Sequence, residues 1–464
     1  KFMNLELTKI KNVHFIGIGG IGISAIARMM IAGGKNVTGQ DMQEGEIVEE
    51  LKKLNLPGQV GIDIKIGQSY ENIPNDTELV VYTIAIEYYD PKLFKKIKEM
   101  EIPALSYPEM LHEITKEKYT IAVSGTHGKT TTTGMIAQVL KDNGKDPTVV
   151  IGSLIRDINN KEEGKGTNFI QGYSEFFVVE ACEYRRSFLN INPKILVITN
   201  IDEDHLDYYK DIEDIKSAFR ELIQKVSSDG FVVCDPNDKN ISDVIKDIDA
   251  QVINYREFYD ENIKLKIPGI HNKKDGACSL AVADILGISK DTAIKALEQF
   301  PGTWRRFEYK GELSNGIKIY DDYGHHPTEI ATTLLGFREL YPKNDSLSSQ
   351  GGWKITVVFH PHLFSRTKLL LNDFAKCFGE ADQVLILPIY YAREEDDGTI
   401  SSSILADNIN KNTSNATAFS SFEELEKYIE LQLPNMNNKN IIITMGAGEA
   451  FKVGDFLLEK YKNR

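Results

Sequence analysis

Lys129 and Thr130 lie inside the stretch SGTHGKTTTT, residues 124–133, whose residue types and order suit a phosphate-holding loop. Backbone N–H groups of Gly125, Thr126, His127 and Gly128 can wrap phosphate oxygens, Lys129 can neutralise them, and the Thr130 hydroxyl, followed by Thr131, can ligate Mg²⁺. The form is G-x-x-G-K-T, because Val123 occupies the first glycine position of G-x-x-x-x-G-K-[ST]. An ion held there needs further ligands from neighbouring strand ends. Glu180, at the end of FFVVE, is one candidate, with a helix cap or a solvated charge as the plain alternative. His205, in TNIDEDHLDYY beside Asp202, Glu203 and Asp204, is a second, with a packed or surface histidine as its alternative.

A second glycine-rich turn, GIGGIG at residues 17–22, comes earlier. Gly17, Gly19 and Gly22 fit G-x-G-x-x-G, Gly20 and Ile21 complete the turn, and Asp41 closes the next β-rich run. Such a turn lets backbone approach a pyrophosphate at a helix N-terminus, where the dipole favours anions. Any nucleotide diphosphate presents that group, and a ligand-free packing turn is the alternative. Further along, YDDYGHHPTEI gathers Asp321, Asp322, His325 and His326 before a helix opened by Pro327. HPHLFSRT adds His360, His362 and Arg366, and WRRFE adds Arg305 and Arg306, whose guanidinium groups suit anion recognition.

These residues need strand ends and helix starts to hold them, and the hydrophobic pattern supplies both. NVHFIGI, NVTGQD and ELVVYT read as strands around the helical period of IGISAIARMMIAG. IPALSYPEMLHEITKEK suits a hinge, and a second βα series then runs through YTIAVS, FFVVEA, ILVITN and GFVVCD to the helical DGACSLAVADILG. After LEQFPGT come GIKIYDD, KITVVFH, QVLILPI and NIIITMG, with the polar KNDSLSSQGGW read as a surface loop. The expectation is an α/β protein of three domains: residues 1–113 Rossmann-like, 114–300 a central P-loop-type, ATPase-like sheet, and 301–464 again Rossmann-like.

Composition narrows the partners. Hydrophobic residues make up 41% and charged residues 26%, a globular balance. Lys+Arg 54 against Asp+Glu 68 gives a net charge of −14, which repels nucleic acid and anionic lipid, so neither is an expected partner. Four scattered cysteines without a CxxC pair argue against a disulfide framework or zinc site and suit a reducing cytoplasm. No apolar run reads as a signal peptide or a membrane span.

Taken together, HFIGIGGIGISAIA, SGTHGKTTTT, VVEACEYRRSFL, TNIDEDHLDYY, PGIHN, RRFE, DDYGHHPTEI, HPHLFSRT and GAGEAF make the chain resemble the Mur ligases of bacterial peptidoglycan synthesis, end to end. The opening turn, DDYGHHPTE and GTHGKTTTT favour the alanine-adding branch. The resemblance implies ATP, UDP-N-acetylmuramate and L-alanine as substrates, Mg²⁺ with Mn²⁺ as alternative ion, and a monomer or weak homodimer. It implies a sugar-nucleotide site at Gly17, Gly19, Gly20, Ile21, Gly22 and Asp41, and catalytic roles for Lys129, Glu180, His205, Arg306 and Asp322. Thr130, Glu180 and His205 would hold the metal, His271 and Asn272 the adenine, and His362 and Arg366 the amino acid, with Arg306 and Asp322 reaching the nucleotide and Arg305 and Asp321 as neighbouring candidates.

Two positions depart from the family pattern. Asp275 stands where H-N-x-x-N ends in Asn, and Leu363 stands where some members carry an arginine. For Asp275 the favoured expectation is a side chain in solvent or capping a helix N-terminus. Other readings are a nicotinamide-dependent dehydrogenase, which leaves the GKT loop unused, a nucleotide-driven switch without a product, and a ligase adding a tripeptide to the same sugar nucleotide.

Overall fold

YTIAVS and NIIITM are buried almost throughout, the mark of strands covered by helices on both sheet faces. The computed structural model describes residues 5–54, 62–155, 166–206, 208–344, 352–391 and 394–461, and in it such runs form three sheets. Most of the stretch KNDSLSSQGGW, residues 345–351, lies outside the described residues. The chain divides into two compact units. One comprises Lys1–Glu203, Lys210–Tyr259 and Asp275–Leu297; the other comprises Asp204–Tyr209, Asp260–Lys274 and Glu298–Arg464.

The first unit holds two sheets. One is built from β1 (Asn12–Ile16), β2 (Asn36–Asp41), β3 (Asp63–Ile66), β4 (Leu79–Tyr82) and β5 (Ala104–Ser106), in the order β3-β2-β1-β4-β5 and parallel throughout. This is the expected Rossmann-like arrangement, with GIGGIG leaving the central strand to open the helix Ile21–Ala32. That helix is docked by Asn168, fully buried, whose amide donates to Ile21 O at 2.5 Å and to Ser24 Oγ at 2.7 Å.

The second sheet contains β6 (Tyr119–Ser124), β7 (Thr148–Ile155), β8 (Thr167–Ile170), β9 (Phe176–Glu180), β10 (Ile195–Ile198), β11 (Phe231–Cys234) and β12 (Gln251–Asn254). Its order is β12-β11-β10-β6-β9-β7-β8, parallel except for the antiparallel β7–β8 pair. The order reverses at β6. Its carboxyl end therefore lies between those of β9 and β10, where a parallel sheet opens a crevice.

The second unit is built on β13 (Glu308–Glu312), β14 (Lys318–Asp322), β15 (Lys354–Phe359), β16 (Gln383–Ile386), β17 (Ala416–Ala418) and β18 (Asn440–Met445). The order is β13-β14-β18-β15-β16-β17, with only β13 antiparallel. Ile319, Val358, Leu385 and Ile442 form one face of its core against Leu425, Val453 and Leu457. Each such side chain contributes about 1.5–3 kcal/mol by leaving water, which makes this sheet a rigid base for loops at its strand ends. No helix among the described residues is long and apolar enough to cross a membrane.

Candidate functional site

β6 ends at Ser124, and the chain turns through Gly125 (φ 134°) and Gly128 (φ 82°) into the helix Lys129–Asp142. Both angles favour glycine, and a Cβ at Gly125 would stand 2.0 Å from Thr199 Oγ1. The end of β10 braces the loop. Asn200 Oδ1 accepts the His127 N–H at 3.0 Å, while Thr199 Oγ1 and Asn200 Nδ2 donate to His127 O at 2.6 and 2.9 Å. The Thr126 N–H goes to Asn200 O at 3.1 Å. This corrects the expectation that the Thr126 and His127 amides wrap a phosphate: both are spent holding the loop. The donors offered to an anion are those of the helix's first turn, which has no intrahelical acceptors for them.

Lys129 folds over this loop. Its Nζ donates to Gly125 O at 2.6 Å and Thr126 O at 2.9 Å, and it pairs with Glu183 Oε2 at 2.9 Å. Burial opposes the ammonium charge, but Glu183, with Cys182 and Glu180, raises its pKa above the usual lysine value, so it stays a cation. Glu183 is almost wholly buried, and the sequence carried no spacing rule pairing it with Lys129. Thr130 Oγ1 donates to Glu180 Oε1 at 3.0 Å, and Gly152 N–H donates to Glu180 Oε2 at 2.8 Å. Glu180 is therefore neither a helix cap nor a freely solvated charge. It lies at the end of β9 beside Thr130, and the pair offers hard oxygens of the kind Mg²⁺ takes.

Asp275 departs from expectation. It is 6% exposed and sits inside the helix Ile270–Ile285, so it neither reaches solvent nor caps an N-terminus. Its Oδ1 packs over Gly128, where an added Cβ would lie only 2.7 Å away. The missing side chain at Gly128 thus admits a carboxylate to the back of the phosphate loop.

In the first turn, Gly17 and Ile18 N–H both bond Gln40 O, at 2.8 and 3.2 Å. Gly19 N–H bonds Asp41 Oδ2 at 2.8 Å, so Asp41 braces the turn itself. A Cβ at Gly22 would meet the Tyr107 ring at 2.8 Å, which brings that ring against the start of the helix that follows Gly20 and Ile21.

In the second unit the structure separates the paired candidates. Arg305 is 4% exposed, and its guanidinium is consumed by Asp321 (2.6 Å), Gly446 O (2.7 Å) and Gly448 O (3.1 Å). Arg306 is more open and meets Glu329 at 3.3 Å. Asp322 accepts the Phe307 and Gly324 N–H groups, each at 2.8 Å, and burial pushes its pKa up to about 6 against the pull of Arg306. Of each pair, Arg305 and Asp321 form an internal strut, and Arg306 and Asp322 remain with the loop. Burial and nearby Arg306 lower the His271 pKa to about 4, keeping it neutral, while Asn272 donates its amide to Pro268 O at 2.5 Å. His326 caps the helix Pro327–Leu340, and His360 accepts the Glu449 N–H at 2.9 Å; both serve the backbone.

Arg366 lies on the short helix Phe364–Leu369, which starts from Leu363 at φ 72°. Leu363 is 6% exposed and contributes packing alone. Arg366 donates to Asp204 Oδ1 at 3.2 Å and lies 3.1 Å from His362 Nδ1, whose ring stacks on Tyr390. Burial resists ionisation of Asp204, but His205 and Arg366, with His325 and His326, hold its carboxyl well below the usual carboxylate range. His205, at φ 53°, belongs to this unit, next to Asp204.

Parallel sheets with a Lys–Thr loop beside a strand-end glutamate define a multidomain α/β enzyme working on nucleotides. Family models described as the Mur ligase catalytic, middle and glutamate ligase domains match residues 12–119, 123–293 and 305–448. The chain belongs to the Mur ligase family. It is 40% identical to a UDP-N-acetylmuramate–L-alanine ligase of Acetivibrio thermocellus, covering 98% of this chain and 97% of that one. It is 39% identical to one of Clostridium botulinum (strain Hall), covering 98% and 100%. Among solved structures it is similar to the UDP-N-acetylmuramate–alanine ligase of Thermotoga maritima: 28% identity, TM-score 0.76, 97% of this chain and 99% of that one.

Proposed function

We propose that the chain uses ATP to join the amino group of L-alanine to the lactyl carboxylate of UDP-N-acetylmuramate, releasing ADP and phosphate, as a step of peptidoglycan precursor synthesis in the cytoplasm. The observation that carries this reading is the Lys129–Thr130–Glu180 arrangement at the switch point of the central sheet, in a chain so similar to ligases of that name. A carboxylate is a poor electrophile. Its oxygen first attacks the γ-phosphorus; the bond to the β,γ-bridging oxygen breaks and ADP leaves. The alanine amine then attacks the carbonyl of the acyl phosphate, an amide forms, inorganic phosphate departs, and the amine proton passes to solvent. Such transfers depend mainly on positioning and on charge placed in advance.

In this reading residues 1–113 hold the sugar nucleotide, 114–300 the ATP, and 301–464 the amino acid. The turn from Gly17 to Gly22 receives the diphosphate, with Asp41 holding its shape. Lys129 moves its ammonium from the Gly125 and Thr126 carbonyls to phosphate oxygens, with Glu183 keeping it nearby. Thr130 and Glu180, with His205 as a further ligand, hold Mg²⁺ (or Mn²⁺), which when bound neutralises phosphate charge. His271 and Asn272 serve the adenine, Arg306 and Asp322 reach the nucleotide from the third domain, and His362 and Arg366 take alanine. The protein acts as a monomer or weak homodimer. The test is phosphate release from ATP with UDP-N-acetylmuramate and a panel of amino acids. Release requiring both the sugar nucleotide and alanine is expected. Release requiring neither makes the chain a switch, and preference for a tripeptide assigns the other ligase.

A further inference from the structure

We propose that Asp204 is the positioning residue for the amino-acid end of the site, acting through Arg366; this rests on the reading of Arg366 as the receiver of the substrate carboxylate. Asp204 Oδ1 meets Arg366 Nη2 at 3.2 Å, with both side chains only about a tenth exposed (11% and 10%). The same oxygen accepts the His205 N–H at 2.7 Å, so the carboxylate is fixed to its own loop before it meets the guanidinium. A bond from a carboxylate to the N–H of the next residue is a local side-chain-to-backbone contact that holds the side chain against its own loop.

The guanidinium has five donors. Among the described residues its recorded contacts are Nη2 to Asp204 and Nη1 to His362 Nδ1, 3.1 Å apart. Those contacts engage two donors and leave three for a planar carboxylate. An arginine alone on a short surface helix samples many rotamers, and that freedom must be given up at each binding event. Asp204 on one side and His362, stacked on Tyr390, on the other hold the fork in one orientation. A buried ion pair is by itself weak support for a stability role, because desolvation offsets the attraction. Orientation of a group that must recognise a second carboxylate gives the pair a function that stability does not. Asp204 cannot stand in for the substrate, because its backbone anchor keeps it in place when an amino acid arrives.

The experiment measures KM for alanine and for ATP separately in the full-length wild type, Asp204→Asn, Arg366→Lys and the double variant, with nucleotide binding and thermal unfolding as controls for folding. Asp204→Asn is expected to raise the alanine KM about tenfold or more with the ATP KM little changed, because the charge-assisted bond that orients the fork is weakened. The double variant should be no worse for alanine than Arg366→Lys alone, since Asp204 acts through that residue. An equal rise in both KM values, or fully additive effects, overturns the proposal. Should Asp204→Asn not fold, Asp204→Glu carries the same test, with the same KM split expected and its absence decisive. If the wild type takes an amino acid other than alanine, the function stated above fails while the KM split for that amino acid still tests Asp204.

Discussion

The turn after β1 and the turn after β6 both leave the middle strand of a mainly parallel sheet and open a helix, yet they are furnished differently. The first is braced by one carboxylate, Asp41 on the Gly19 N–H, and offers no cation of its own within residues 17–22. The second is braced by Thr199 and Asn200, carries Lys129 and Thr130, and has Glu180, Glu183 and Asp275 packed around it. A turn that only holds a diphosphate needs room and helix-start amides. A turn at which a phosphorus–oxygen bond breaks also needs a mobile cation, oxygens for a metal, and acids that keep the cation in place while the site is empty. On the proposed reading, the difference between handle and reaction centre is written in side chains around the turn more than in its glycines.

The largest test of this contrast is Lys129→Ala. Turnover should fall by about 10²–10³ or more, the loss expected when a preorganised charge partner of the transition state is removed. Binding of UDP-N-acetylmuramate, measured by calorimetry without ATP, should stay unchanged; near-normal turnover in a folded variant would erase the contrast. Glu180→Gln comes next. It keeps the shape that Gly152 accommodates but weakens the metal-facing oxygen, so the Mg²⁺ needed for half-maximal activity should rise about tenfold or more. Stripping the metal with a chelator should halt turnover and spare sugar-nucleotide binding, and superimposable magnesium titrations for both proteins would make Glu180 structural. On the other turn, Gly22→Ala drives a methyl into the Tyr107 ring, and overpacking of about 1–3 kcal/mol corresponds to roughly a tenfold rise in the sugar-nucleotide KM or more. The ATP KM should not follow; if both rise alike, the two turns do not work separately.

Much of this was legible in the sequence because it is local. Strand, glycine turn and helix follow one another within a few residues, so both turns, the Rossmann-like order and the strand-end place of Glu180 could be read from periodicity and spacing. Contacts closed across the fold could not. Nothing in EACEYRRSF distinguishes Glu183, which seats Lys129, from a surface acid. Adjacent Arg305 and Arg306 look equal until β14 and β18 bring Asp321, Gly446 and Gly448 around only one of them. Loop composition alone makes the Thr126 and His127 amides look like phosphate donors, whereas Asn200, which takes both, sits 73 residues beyond His127. The edge strands β8, β13 and β17 are short and carry little alternation, so periodicity does not mark them as strands.

The smallest expected effect concerns Asp275, the acid behind the reactive turn. Its carboxylate fills the space left by the missing Gly128 side chain and adds a negative charge beside the loop proposed to receive polyphosphate. Asparagine has nearly the same volume, so Asp275→Asn keeps the packing that holds Gly128 and removes the charge, exchanging one carboxylate oxygen for an NH₂. The repulsion it relieves is moderated by Lys129, so ATP should bind about two- to fivefold tighter, the scale of a screened charge pair of up to about 1 kcal/mol. Discrimination between ATP and GTP should stay as it was, because the side chain faces the loop and not a base. Calorimetric titration of ATP and GTP into both proteins reads each quantity directly. A weaker ATP affinity in Asp275→Asn would mean that this carboxylate braces its turn as Asp41 braces the first, and the contrast between handle and reaction centre would then lose one of its acids. Improved base discrimination would place Asp275 against the adenine instead.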